Sequence, residues 1–504
     1  MRPTTVHQLM WHQLLPPPER EGSTLQSQLR THIVKAVLDG RLVGGTRLPS
    51  SRELAEMLEI SRNTVVLVYE RLTEDGFIEN RPRCGYFVSP RNVAQTPAAQ
   101  VGVIEDAHAD LVQSGTTQVQ WGQRLSGRVA DSRWLDKPRD WQRYRYPFIY
   151  GQFDPTLFPV AHWRECSRHA LDVGAIRGWA PDAIDHDDHS LVDQLIRRVL
   201  PRRGIAARRE EILLTVGAQQ GLYLLAELLI SPGTRVGVED PGYMDARNIL
   251  RRRGATLVGL DVDARGLVPD EARLRDCRYL YCTPSHQCPT GVTLNNERRL
   301  ALLEWARRAD GVLIEDDYDA ETQYQGQPLP AIKALDRDER VIYVGSLSKT
   351  LSPGLRIGYI VAPAEVITEL RLLRRMMIRH PPANNQLAAA LFIEHGHYDR
   401  LMFRMRDALA MRANALTEAL KRYIPSLAFT APSGGSALWG HFTDGVRTAE
   451  LLDIARAHGI LVEPGEPFFL DSRDGGHHIR FGFSSIPVER IDAGIRELAR
   501  LVTR

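Results

Sequence analysis

The chain has 504 residues, 43% of them hydrophobic, and its 64 Lys and Arg against 62 Asp and Glu leave a formal net charge of +2. That length predicts two or three domains rather than one core, and near neutrality means that any contact with nucleic acid must come from a local patch. No apolar run is long enough for a bilayer span, and the five cysteines are odd in number and never spaced C-x-x-C, so neither a membrane protein nor a disulfide framework or metal site is expected. The N-terminal stretch lacks the apolar core and small-residue cleavage site of a secretory signal, which predicts a cytoplasmic protein.

In "STLQSQLRTHIVKAVLDG", Leu25, Leu29, Ile33 and Val37 recur at helical spacing and Gly40 ends the helix. Ser50 and Glu53 have capping-box spacing, predicting a short helix from Ser51 with Leu54 and Leu58 facing inward. Ser61 is the next N-cap, for a helix to about Asp75, and "FIENRPRCGYFVS" reads as two strands joined by a turn carrying Arg81, Arg83 and Gly85. Residues 22–90 therefore read as a winged helix-turn-helix. That geometry places Arg62, Asn63 and Thr64 in a major groove and Arg81 and Arg83 on the wing, over backbone or minor groove. Arg52 and Ser61 complete the candidate DNA-binding set. Each arginine alone reads equally well as a solvated helix end; their agreement with the pattern is the argument.

Residues 91–143, rich in Gln, Ala, Thr and Gly with weak periodicity, read as a linker. From 144 to 504, strand-like runs at 235–240, 278–282, 311–316, 341–346 and 356–362 alternate with amphipathic stretches, predicting an α/β domain with a mainly parallel sheet. A smaller α+β lobe is expected at about 385–504. Residues 144–200, with "YGQFDPTLFP" and "DDHSLVDQLIRRVLPRRGI", are expected to build the mouth of its pocket.

"GSLSKTLSPGLRIGY" places Lys349 after the apolar run "VIYVG" and between Ser348 and a later Arg356. Burial lowers a lysine's pKa and makes it a nucleophile toward carbonyls. Ser346, Ser348 and Arg356 suit a phosphate monoester. An aldehyde bearing a phosphate satisfies both halves, and pyridoxal 5′-phosphate is such a molecule. Its pyridine nitrogen needs a carboxylate. In "LIEDDYDAE", Asp316 or Asp317 follows an apolar strand; Asp316 is assigned to the ring nitrogen and Tyr318 to the phenolic oxygen. "GAQQG" reads as a turn before a helix whose first amides, at Ala218 and Gln219, complete the phosphate site. Tyr243 offers a plate for the ring, and Arg480, inside the apolar run "HHIRFGFS", needs an anion such as a substrate carboxylate.

The stretch from "TLQSQLRTHI" through "LPSSRELAEML" and "SRNTVVLVYERL" to "GYFVS" resembles the GntR family of bacterial transcription regulators. "GAQQG", "EDPGY", "TPSHQCPTG", "EDDY", "SLSK…PGLRIGY" and "IRFGFS", in that order, resemble fold-type I aminotransferases over residues 144–504. Such enzymes usually carry asparagine before "PTG"; here it is Cys288, and His286 and Gln287, either of which could face the ring, are left without a role. The two halves together resemble the MocR/GabR regulators. The resemblance implies that the large domain is an effector sensor, that an amino-compound replaces Lys349 as an external aldimine, and that the protein is a head-to-tail homodimer. The alternative is a working aminotransferase with an accessory DNA-binding module. The effector is left open among amino acids, ω-amino acids, amino sulfonates, diamine-derived acids and the cofactor itself.

Overall fold

A computed structural model of the protein describes Trp11 and residues 24–90, 119–125, 129, 132–151, 154–471 and 475–502. It divides into two compact units, Met1–Ser126 and Gly127–Arg504. Residues 91–118 of the expected linker lie outside the described residues.

The first unit contains α1 (Leu25–Leu38), α2 (Ser51–Met57) and α3 (Arg62–Glu74). Thr24, Ser50 and Ser61 cap them by accepting the backbone N–H three residues on. Ser50 and Glu53 close a full capping box, with the Ser50 N–H donating to the Glu53 carboxylate at 2.8 Å. Leu29, Ile33, Leu54, Leu58, Val65 and Leu72 bury into one core, while Leu25, at the first helical position, stays half-buried. The Tyr69 hydroxyl donates to the Pro49 carbonyl at 2.8 Å and ties α3 to the approach to α2. β1 (Ile78–Arg81) and β2 (Gly85–Val88) pair antiparallel with Arg81 opposite Gly85. Those two residues thus belong to the strands rather than to the expected turn, which is confined to 82–84, with Arg83 at φ 63°.

In the second unit β3 (Tyr146–Pro147) and α4 (Val160–Ala170) precede an eight-stranded sheet. Its strands are β4 (Ile212–Thr215), β5 (Arg235–Asp240), β6 (Thr256–Asp263), β7 (Gly266–Leu267), β8 (Tyr279–Cys282), β9 (Val312–Asp317), β10 (Val341–Ser346) and β11 (Gly358–Val361), ordered β4-β11-β10-β9-β8-β5-β6-β7. The run β6-β5-β8-β9-β10 is parallel. β11 is antiparallel to both β10 and β4, so β4 points the same way as β10. The loops that leave β4, β5, β8, β9 and β10 therefore gather at one edge, where ligands of open α/β sheets bind. The first of them is short: α5 (Gly217–Leu229) begins directly after Val216, so "GAQQ" is the helix's first turn rather than a separate turn.

α6 (Ala383–Glu394) and α7 (His397–Tyr423) lead to the small lobe, which has β12 (Leu427–Phe429), β13 (Ala437–Phe442), α8 (Thr448–Ala457), β14 (Ile460–Leu461), β15 (Glu463–Pro464), β16 (His478–Gly482) and α9 (Val488–Val502). The sheet order is β12-β13-β16-β15. Its core joins Leu409, Leu416, Phe442, Phe481 and Ile495, and takes in Tyr146 and Phe148 as β3 pairs with β14. Ala389, Phe392, Leu401 and Met402 pack instead into a core under the large sheet. α7, 27 residues long, thus runs from one core into the other. Among the described residues no helix is long and apolar enough to cross a membrane.

Candidate functional site

The loops at the carboxyl edge of the large sheet enclose a cavity of about 400 Å³. Ala218, Gln219, Tyr243, Asp316, Tyr318, Ser346, Ser348, Lys349, Arg356 and Arg480 all border it. Of the two runs expected at its mouth, the first supplies Tyr150 and Gly151 to this cavity and Asp154 and Leu157 to a pocket that also touches Lys349. In the second, 187–205, Leu191, Leu195, Val199 and Ile205 are core and Asp187 is paired with Arg371 and Arg374, so that run is spent on packing the large domain.

Lys349 and Arg480 lie against one aromatic ring. The Tyr150 centroid is 4.2 Å from Lys349 Nζ and 3.8 Å from the Arg480 guanidinium, a contact that favours cations. Gly151, at φ 77°, follows; a side chain there would strain the backbone, and its Cβ would crowd Lys349 Nζ at 3.0 Å. Lys137, within the expected linker 91–143, donates to the Tyr150 carbonyl at 2.6 Å and pairs with Glu463 at 3.0 Å. Glu463, from β15, also faces Arg480 at 3.6 Å and accepts the Tyr150 N–H at 3.0 Å. The anion expected for Arg480 is thus partly supplied by the protein itself, although its Nε has no hydrogen-bond partner.

Burial lowers the Lys349 pKa to about 8; Asp319 opposes the shift, and Lys137 and Arg480 reinforce it. Because this value lies below that of an unfolded lysine, the protonated amine destabilises the fold below pH about 8, and the penalty is relieved as pH rises from there toward the ordinary value. Capture of pyridoxal phosphate by the apo-protein should accordingly quicken through a midpoint near pH 8, followed by stopped-flow absorbance. A rate still climbing steeply at pH 10 would mean that the amine titrates as an ordinary lysine.

The run Glu315-Asp316-Asp317 closes β9, and the alternation of a strand separates its members. Glu315 accepts the N–H groups of Ile332 and Lys333 at 2.8 Å each. Asp317 accepts from Arg203 at 2.8 Å and from the Tyr343 hydroxyl at 3.0 Å. Asp316 faces the cavity, with one oxygen accepting from Tyr281 at 2.8 Å and the other, Oδ1, without a partner. Burial pushes its pKa up to about 7, partly offset by the Tyr281 hydrogen bond.

At the opposite end Arg356 lies against the start of α5. Its guanidinium donates to the Val216 carbonyl at 3.2 Å. A Cβ on Gly217, at φ 72°, would meet it at 3.0 Å. Ser346 Oγ accepts the Ser348 N–H at 3.1 Å, while Ser348 Oγ is buried without a partner. A cation, two hydroxyls and helix N-terminal amides converge here, a set suited to a phosphate.

Tyr243 borders the cavity, its hydroxyl shared between Gln219 at 2.9 Å and Asp245 at 3.1 Å. The Tyr318 hydroxyl donates to the His286 carbonyl at 2.7 Å, so donation to a phenolic oxygen would require it to leave that bond. Neither His286 nor Gln287 borders the cavity; Cys288 does. The Gln287 amide donates to Glu239, Pro241 and Cys288, and with Thr283, which donates to Glu239 at 2.6 Å, braces the loop after β8.

In the first unit Arg52, Arg62 and Asn63 are exposed, as are Arg81 and Arg83. Ser61 and Thr64 are occupied locally, their hydroxyls 2.8 Å apart in the α3 cap. Arg81 pairs with Glu79 and lies 4.5 Å from the Phe87 centroid, which holds the wing cation in place at some cost to its free charge. Arg47, bridged to Phe87 beside the wing, is a further exposed cation that sequence spacing did not single out.

Residues 25–88 match the family described as "Bacterial regulatory proteins, gntR family", and residues 165–498 match "Aminotransferase class I and II". The HTH-type transcriptional regulator TauR of Rhodobacter capsulatus is 41% identical over 96% of this chain and 97% of its own length. The probable rhizopine catabolism regulatory protein MocR of Rhizobium meliloti is 30% identical over 94% of this chain and 93% of its own. The chain belongs to the MocR/GabR-type transcriptional regulators. Its large domain is also similar to LysN, the α-aminoadipate aminotransferase of Thermus thermophilus complexed with N-(5′-phosphopyridoxyl)-L-leucine, with a TM-score of 0.70 and 27% identity over 76% of this chain and 98% of that one. This MocR-type regulator accordingly binds DNA and depends on pyridoxal 5′-phosphate, and the regulator reading is favoured over the accessory-module enzyme. The cavity's polar groups fit the cofactor: the acceptor Asp316 Oδ1 and the hydroxyl Ser348 Oγ are buried, without partners, on its walls.

Proposed function

We propose that this MocR-type regulator senses an amine bearing an anionic group. The observation that carries this reading is the pairing of Lys349 and Arg480 against the single Tyr150 ring. When bound, pyridoxal phosphate supplies an aldehyde carbon at which the amine of an incoming ligand exchanges with that of Lys349. Asp316 would hold the ring nitrogen, Tyr243 would offer a plate to the ring, and Ser346, Ser348, Arg356 and the amides of Ala218 and Gln219 would hold the phosphate. An amine received at Lys349 brings its acid group toward Arg480, which has Nε to offer and only a 3.6 Å ion pair to Glu463 to loosen.

Residues 22–90 read DNA in the cytoplasm through Arg52, Ser61, Arg62, Asn63, Thr64, Arg81 and Arg83, and 91–143 connect the reader to the sensor at 144–504. Trp134, Leu135 and Lys137 border the cavity. A ligand that takes Glu463's place at Arg480 therefore also disturbs the end of the connecting chain, and this differential contact is what shifts a conformational equilibrium. The exposed apolar side chains Leu372, Met376 and Met377 on helix Ala364–Ile378 suit a homodimer contact, with a head-to-tail arrangement as the working form.

The test is a panel of amino acids, ω-amino acids and amino sulfonates added to the holo-protein, scored by cofactor absorption and by affinity for promoter DNA. A ligand that changes the spectrum should change DNA affinity by about 5–150-fold. Spectral responses that leave DNA affinity unmoved throughout the panel would refute the reading.

A further inference from the structure

Away from the cofactor cavity, five donor side chains meet where α4 packs near the corner between α6 and α7. His162, Glu165 and Cys166 stand at positions i, i+3 and i+4 of α4 and so share one helix face. His395 caps the end of α6, Gly396 turns the chain at φ 76°, and His397 opens α7. The donor atoms of Cys166, His395 and His397 lie within 4.8 Å of one another, as do those of His162, Glu165 and His397. His397 belongs to both sets. Its ring stacks on that of His162 with centroids 4.0 Å apart and an angle of 15°.

A tetrahedral zinc ion takes sulfur at about 2.3 Å and imidazole nitrogen at about 2.0–2.1 Å, which sets its donors about 3.3–3.8 Å apart. Donor atoms within 4.8 Å of one another reach that spacing with side-chain shifts of up to about an ångström. Thiolate, imidazole and carboxylate together suit a zinc-like ion rather than calcium or magnesium. The absence of a C-x-x-C spacing does not bear on a site whose donors come from 162–166 and 395–397.

We propose that Cys166, His395 and His397, with His162 or Glu165 as fourth donor, bind a divalent transition metal of the zinc class and clamp α4 to the start of α7. Binding replaces the Cys166 thiol proton with a metal–sulfur bond and releases that proton to solvent; the metal's oxidation state does not change. α7 carries the chain from the large-domain core to the small lobe, so the clamp fixes the root of the helix on which that lobe is built.

Full-length holo-protein stripped with chelator and titrated with Co²⁺ tests this through ligand-field bands in the red, clear of the cofactor. One equivalent per chain should give tetrahedral-type bands that Zn²⁺ abolishes by displacement. Cys166→Ser should remove the sulfur contribution, and His395→Ala, at an exposed position, should weaken binding by at least the about 10–100-fold seen when ligand shells are disturbed. Retained cofactor absorption establishes that each variant is folded, and should Cys166→Ser fail to fold, His395→Ala decides. No stoichiometric uptake, or uptake with the same spectrum and affinity in the folded variants, would overturn the proposal.

Discussion

Lys349→Ala is expected to abolish the effector's influence on promoter affinity while leaving DNA binding itself intact. The substitution removes the amine whose pKa burial lowers to about 8, but leaves Asp316, Ser346, Ser348 and Arg356 to hold the cofactor non-covalently. An incoming amine then has no lysine to displace. A coupling of about 5–150-fold in the wild type should fall to near unity, measured by fluorescence anisotropy on promoter DNA with and without an effector from the panel. Arg62→Ala is the complementary control. Loss of an arginine at the start of α3 should weaken specific binding by about 1–3 kcal/mol and leave the cofactor spectrum unaltered. A Lys349→Ala protein that still responds fully would place sensing elsewhere.

The second large effect is one of stability. Arg203→Leu should lower the stability of the second unit by about 3–5 kcal/mol, because it strands a buried carboxylate. Arg203 is 3% exposed and donates to Asp317 at 2.8 Å and Ser285 at 2.7 Å. Burial pushes the Asp317 pKa up, but Arg203, with hydrogen bonds from Ser285 and Tyr343, holds it below the ordinary carboxylate value. Its contribution is therefore present above the unfolded aspartate pKa and is lost as pH falls through the folded one. Arg203→Leu with Asp317→Leu should recover part of the loss, since no unpaired charge then remains. Denaturant unfolding of the holo-protein checks both variants. Asp317 adjoins Asp316 on β9, so the single variant should also hold cofactor less firmly. A single variant as stable as the wild type would mean that the pair contributes nothing.

What could be read from the sequence was what local rules govern. Capping spacing located α2 and α3, apolar runs located five strands of the large sheet, and residues at the carboxyl ends of the four parallel ones, β5, β8, β9 and β10, met in one cavity because parallel strands end together, while β11 runs antiparallel to β10. Asp316 and Asp317 were both candidates until strand alternation sent one toward the cavity and the other toward Arg203. Tyr150 lay in a run expected at the pocket mouth, but nothing marked its ring as the contact for both cations, and Lys137 and Glu463 carried no signal. They meet only because β3 joins the small lobe, β15 pairs with the strand of Arg480, and Trp134, Leu135 and Lys137 border the cavity. His286 and Gln287, left without a role by their sequence, stand off the cavity: the Gln287 amide braces its own loop, and the His286 ring is buried without a hydrogen-bond partner.

The central claim is tested most directly by reducing the holo-protein with borohydride, digesting it and locating the pyridoxyl group by mass spectrometry. Two lysines, Lys349 and Lys137, border the same cavity, so the position of the label is informative. The account predicts stoichiometric modification of Lys349 Nζ and none of Lys137. Label on Lys137, or no covalently bound pyridoxyl group at all, would contradict it.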